Sequence, residues 1–142
     1  MTGSIENIAS HLKFLGYSTE KLKSENANEK DIWVGKHIQK NSVVFFELFP
    51  SFIMFRVNLT TERKFSPEMD AVMNRANKIF TIVKIYYEIE NDKAVLRLEA
   101  IHTGRYTKES FGAFFDMFVA DQNLIYKVDG FATAFLGTEE KE

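Results

Sequence analysis

Three histidines, a few hairpin carboxylates and no cysteine make up the reactive side chains of this 142-residue chain. His11, His37 and His102 are far apart and share no ligand spacing, so no metal site is expected, because a metal centre needs donors that converge. Each reads as a surface or half-buried residue, with His11 beside the buried stripe of a helix. Glu88, Glu90 and Glu99 fall on two adjoining strands. Two carboxylates on one sheet face are an arrangement that acid–base chemistry uses. Basic residues are expected opposite two of these three, however, and ion pairing accounts for them. The absence of cysteine excludes disulfides, thiolate ligands and cysteine nucleophiles. No phosphate loop, dinucleotide fingerprint or nucleophile elbow occurs. The expectation is a protein that is not an enzyme and takes no cofactor.

The elements that carry these residues centre on Ser66 to Ile101. Ser66 reads as an N-cap and Pro67 as the first helical residue, where its missing N–H costs nothing. Met69, Val72, Met73, Ala76, Ile79 and Phe80 then recur at helical spacing. From Ile82 the period becomes two. A two-residue turn at Asn91-Asp92 pairs Glu90 with Lys93, Ile89 with Ala94, Glu88 with Val95 and Tyr87 with Leu96. The same register sets Tyr86 against Arg97, Ile85 against Leu98 and Lys84 against Glu99. Opposite charges meet twice, and the apolar residues share one face. Cross-strand pairs contribute about 0.2–1 kcal/mol each, and a slip of one residue turns every apolar side chain outward.

Before this stretch, Ser4 to Leu15 reads as a helix burying Ile5, Ile8, Ala9, Leu12 and Leu15, with Gly16 as its left-handed terminus. Tyr17 to Lys30 is polar and reads as a solvated connection, with room for a helical turn at Thr19 to Lys23. Strands follow at Asp31–Ile38, Ser42–Phe49 and Phe52–Thr60. After the hairpin, Thr107 caps a third helix, with Tyr106 and Phe111 placed as a hydrophobic staple. Phe111, Phe114, Phe115, Phe118, Gln122 and Ile125 trace its buried stripe, and Gly112 reads as a close-packing position. The apolar tail, residues 128–137, contains Phe131, Phe135 and Leu136, which suggests docking. The chain reads as one α+β domain over 1–142, core about 4–126, a mainly antiparallel sheet with helices packed on it in an α-β-β-β-α-β-β-α layout.

A sheet with helices on one side normally solvates its other side. The second strand breaks that rule, since Val43, Phe45 and Phe49 are apolar on one face and Val44, Phe46 and Leu48 on the other. Trp33, Phe45, Phe49, Phe52 and Met54 are expected on or near the face the core leaves unused. A helix or the tail covers them, or they meet a partner, because a large contiguous apolar patch is unusual on a monomer.

The chain is 45% hydrophobic and 27% charged, the balance of a folded globular protein. A net charge of −2 with no basic cluster offers little to nucleic acid. The longest apolar run, Val43 to Phe46, is far short of a membrane span. The first residues lack the basic and apolar regions of a signal peptide, and a reducing cytoplasm fits the lack of cysteine.

The element order, the early helix ending Leu15-Gly16-Tyr17, the Asn74-Arg75-Ala76-Asn77 helix, the hairpin Ile82 to Ile101 and the closing helix from Thr107 carry a resemblance. Over residues 4–126 the layout is similar to the class I type III secretion chaperone fold. It more closely resembles the YbjN family of candidate bacterial sensory transduction regulators. The resemblance implies a non-catalytic homodimeric module that binds client or regulatory proteins through apolar surface. It makes Met73, Ala76, Asn77, Ile82, Lys84 and Tyr86 dimer candidates, and Phe45, Phe49, Phe52 and Met54 client-surface candidates. The chain is less acidic than those chaperones, and its tail lies outside the shared layout. The competing reading is a small-ligand-binding or enzymatic domain with an aromatic pocket between the third helix and the sheet.

Overall fold

The computed structural model describes residues 2–22 and 32–137, with side chains from residue 5 onward. Its elements are α1 (Thr2–Phe14), β1 (Tyr17–Lys21), β2 (Ile32–His37), β3 (Val43–Leu48), β4 (Phe52–Thr60), α2 (Glu68–Ile79), β5 (Lys84–Glu90), β6 (Lys93–Thr103) and α3 (Lys108–Leu124). A 3-10 turn at Ile125–Lys127 and a π-helical turn at Ala132–Leu136 close the chain. The strands form one sheet in the order β1-β2-β3-β4-β6-β5. Its layout is the expected α+β arrangement with one strand more. That strand, β1, replaces the start of the loop expected from Tyr17; residues 23–30 of that loop, and Asp31 of the strand expected after it, lie outside the described residues. The described chain gathers into two compact units, Met1–Val57 with Ala100–Phe115, and Asn58–Glu99 with Asp116–Glu142.

In the first unit, Ile5, Ile8, Ala9 and Leu12 of α1 are buried, whereas Leu15 is 38% exposed. Gly16 ends the helix at φ +99°, and a Cβ there would sit 2.8 Å from His37 Nε2, so glycine is required twice over. Residues directly paired across an antiparallel sheet share a face. Trp33 pairs with Phe46, and Phe46 with Phe55. Their rings form a ladder, at 5.9 Å for Trp33–Phe46 and 5.7 Å for Phe46–Phe55. Phe55 in turn meets Phe111 and Phe114 of α3. Trp33 therefore belongs to the helix-covered face, on the opposite side from Phe45. The expected face is corrected because β2 is apolar on both sides, and only pairing with β3 chooses between them.

In the second unit, all seven hairpin pairs hold the expected register. Asn91 and Asp92 adopt φ 51° and 64°, the left-handed pair of a tight hairpin turn. The charges rearrange within that frame. Arg97 reaches both Glu88 and Glu90, and Lys93 bonds Glu62. Helix α2 starts at Glu68, one residue later than expected, with Pro67 already at helical angles. It buries Met69, Val72, Met73 and Ala76, and leaves Ile79 half exposed.

Strand β5 lies at the sheet edge, where backbone groups need partners. Asn77 supplies them: its Nδ2 donates to Ile85 O at 2.9 Å, and its Oδ1 accepts from Ile85 N at 2.9 Å. The carboxamide thus stands in for a neighbouring strand. Tyr87 adds a second tie by donating to Asp70 Oδ1 at 2.8 Å, and burial, with that carboxylate, pushes its pKa up. Asn77→Ala is expected to cost about 1–2 kcal/mol, two ordinary hydrogen bonds at an edge. Denaturant midpoints will measure it, and concentration-dependent scattering will show whether the uncovered edge self-associates.

The tail docks in this unit, with Val128, Phe131, Ala134 and Phe135 buried. Phe135 meets the Tyr87 ring at 6.0 Å, and Arg75 Nη1 donates to Asp129 O at 2.9 Å. It contacts α2 and β5, and Leu136 remains half exposed.

Candidate functional site

Each strand from β2 to β4 presents alternate residues to the face that the Phe46–Phe55 ladder leaves. Val34 pairs with Phe45 and Phe45 with Arg56; Ile32 pairs with Glu47 and Glu47 with Met54. At the β3–β4 turn, Phe49 N donates to Phe52 O, and the two rings stack at 4.7 Å and 14°. Ile32, Val43, Phe45, Phe49, Phe52 and Met54 are half-buried, and Val34 is fully so. The strands thus carry apolar residues on both faces, and the outward row is neither sealed nor solvated. Glu47 and Arg56 are its charged members. Of the five residues assigned to a partner surface, Phe45, Phe49, Phe52 and Met54 stand together here, and Trp33 does not.

The dimer candidates fall in two groups. Met73 and Ala76 are buried within the chain, and Asn77 is committed to Ile85. Lys84 is exposed, while Ile82 and Tyr86 are half-buried. Tyr86 lies opposite Arg97 on the hairpin.

Two histidines gather where sequence spacing showed no relation. His11 Nδ1 lies 2.7 Å from Tyr106 Oη, and His102 Nε2 lies 3.4 Å from Ser110 Oγ. Both imidazoles meet the Phe111 ring edge-on, at 4.9 and 5.7 Å between centroids. The expected staple, Tyr106 on Phe111, forms, and Thr107 Oγ1 accepts from Ser110 N at 3.0 Å as the cap. Burial holds both imidazoles below their ordinary pKa, and the Lys108 ammonium adds to the effect on His11. Gly112 does not pack closely, since a Cβ there would meet only His11 Cε1, at 4.0 Å. No group of three metal-ligating side chains occurs among the described residues.

Asp121 is a buried polar residue that sequence reasoning missed. Its carboxylate is 2% exposed and accepts from the backbone N–H groups of Thr81, Ile82 and Val83 at 2.8–3.0 Å. Phe111, Phe114, Phe118 and Ile125 leave a gap in the 3-4 spacing that Asp121 fills, a signal present in the sequence. The arrangement is structural: it satisfies the donors of the α2–β5 connection, which no strand reaches.

An antiparallel six-stranded sheet with helices packed on it, preceded by one helix and interrupted by another, defines an α+β protein of the YbjN-like fold. The structure is similar to that of YbjN, a candidate transcription regulator from E. coli, with a TM-score of 0.59 and 15% identity over 85% of this chain and 87% of that one. It is also similar to an uncharacterised protein from Methanothermobacter thermautotrophicus, with a TM-score of 0.56 and 15% identity over 87% and 94% of the two chains. No family sequence model matches the chain, and no curated protein matches it in sequence. No helix among the described residues is long and apolar enough to cross a membrane.

Proposed function

We propose that the chain is a non-catalytic protein-binding module that works as a homodimer and holds an apolar segment of a partner protein on the outward face of β2–β4. The observation that carries the reading is the row Phe45, Phe49, Phe52 and Met54, half-buried on the face opposite the ring ladder. A strand that only had to solvate this side would alternate apolar and polar residues. The likeness to YbjN supports a regulatory role. Ile82, Lys84 and Tyr86 remain as dimer candidates, because Met73, Ala76 and Asn77 are already engaged within the chain.

The test compares wild type with a Phe45→Ser, Phe52→Ser double variant. Light scattering reads the mass, and partners captured from the source cell are purified and rebound. A dimer of wild type, and at least a tenfold loss of partner affinity in a folded variant, are the expected results. A strictly monomeric protein at high concentration, or identical partner affinities, refutes the proposal.

A further inference from the structure

Two imidazoles pack on one phenylalanine in the first unit, away from the outward face of β2–β4. They come from separate elements, His11 from α1 and His102 from the end of β6, and Phe111 in the first turn of α3 touches both. His102 also meets the Phe114 ring at 5.2 Å. Phe111 is wholly buried, and His102 is 7% exposed. A hydroxyl faces each ring, Tyr106 for His11 and Ser110 for His102. A hydroxyl satisfies a neutral imidazole as donor or acceptor, but gives an imidazolium no counter-charge.

The charged groups around the pair are cationic or turned to solvent. Lys108 stands over the Phe14 ring at 6.0 Å and acts on His11 as a like charge. Arg105 and Glu109, on either side of it, are exposed. No carboxylate pairs with either imidazole among the described residues. The amino end of α3, starting at Lys108, presents the positive end of its dipole to this cluster, which further disfavours a charged ring.

We propose that His11, Phe111 and His102 form an acid-sensitive latch: protonating the imidazoles releases α1 and the end of β6 from the first turns of α3. The sign follows from linkage. Both folded pKa values lie below the ordinary 6.5, so between those values and 6.5 the open form binds more protons than the closed one. Closure is therefore complete above about pH 6.5 and weakens as pH falls through the lowered values. Two linked protons make the opening equilibrium rise by up to about 100-fold per pH unit, against about tenfold for one. Opening would uncover Phe111, Phe114 and Phe115, which are buried in the closed form.

Hydrogen exchange of the α1 amides, corrected for intrinsic rates, tests the latch between pH 7.5 and 4.5. Wild type is expected to lose protection with a slope steeper than one proton. His11→Gln and His102→Gln are each expected to reduce the slope by about one proton, and the double variant to flatten it. An unchanged slope in the double variant overturns the proposal. Should that variant fail to fold, an NMR titration of the wild-type imidazoles decides: values at or above 6.5 for both refute the latch, and lowered values with coupled loss of α1 protection sustain it.

Discussion

Replacing Asp121 by alanine will lower stability by about 3–5 kcal/mol, because three backbone N–H groups lose a charged acceptor inside the protein. The carboxylate is 2% exposed, so water cannot take its place without a rearrangement of the α2–β5 connection. Oδ2 carries bonds from all three amides, and Oδ1 shares Thr81 N at 3.0 Å. That division predicts an intermediate cost for Asp121→Asn, about 1–2 kcal/mol. An asparagine carbonyl can keep the place of Oδ2, but its NH2 then faces the Thr81 N–H donor to donor. Thermal unfolding of the alanine variant should fall by on the order of 15 °C. The amides of residues 81–83 should lose protection ahead of the rest of the chain. A change below about 1 kcal/mol would mean that another acceptor takes over the three N–H groups.

Phe111→Ala is expected to cost about 3–5 kcal/mol, the loss of a large buried ring with a cavity left behind. Its ring meets those of His11, Phe55, His102, Tyr106, Phe114 and Phe115, all within 6.1 Å between centroids. Phe14, 80% exposed with Lys108 above its ring, provides the contrast. Phe14→Ala should change stability by no more than about 0.5 kcal/mol. Denaturant unfolding of the two variants separates burial from mere aromatic content. Equal effects would show that the ring cluster around Phe111 is not what holds the first unit together.

The hairpin was legible because both its determinants are local. Alternation over Val83–Ile89 and Ala94–Leu98 sets which side chains face inward, and Asn91-Asp92 accepts the left-handed angles of the turn. The aromatic stripe of α3 and its Thr107 cap were legible for the same reason. Asp121 escaped because a carboxylate at a core position makes sense only beside the distant amides it satisfies. Strand β1 escaped because Tyr-Ser-Thr-Glu-Lys buries little beyond Tyr17. Backbone pairing with β2 makes it a strand, and a backbone ladder leaves no mark on side-chain periodicity. The apolar residues of the candidate surface were legible in composition, but their distribution between two faces was not. Trp33 joined the ring ladder through its pairing with Phe46. Asn77 stood out as a polar residue on a helix, and only the approach of β5 gave its carboxamide a partner.

The amino-acid sequence by itself determined the α+β class, the order of helices and most strands, the hairpin register and the excess of apolar side chains on β3. Helical and strand periods arise from contacts two to four residues apart, which any window of the chain contains. Tertiary structure alone decided which strand lies at each edge, where the tail docks, and how His11 and His102 come to share one ring. Those outcomes depend on segments tens of residues apart meeting in space, and no local pattern specifies the meeting.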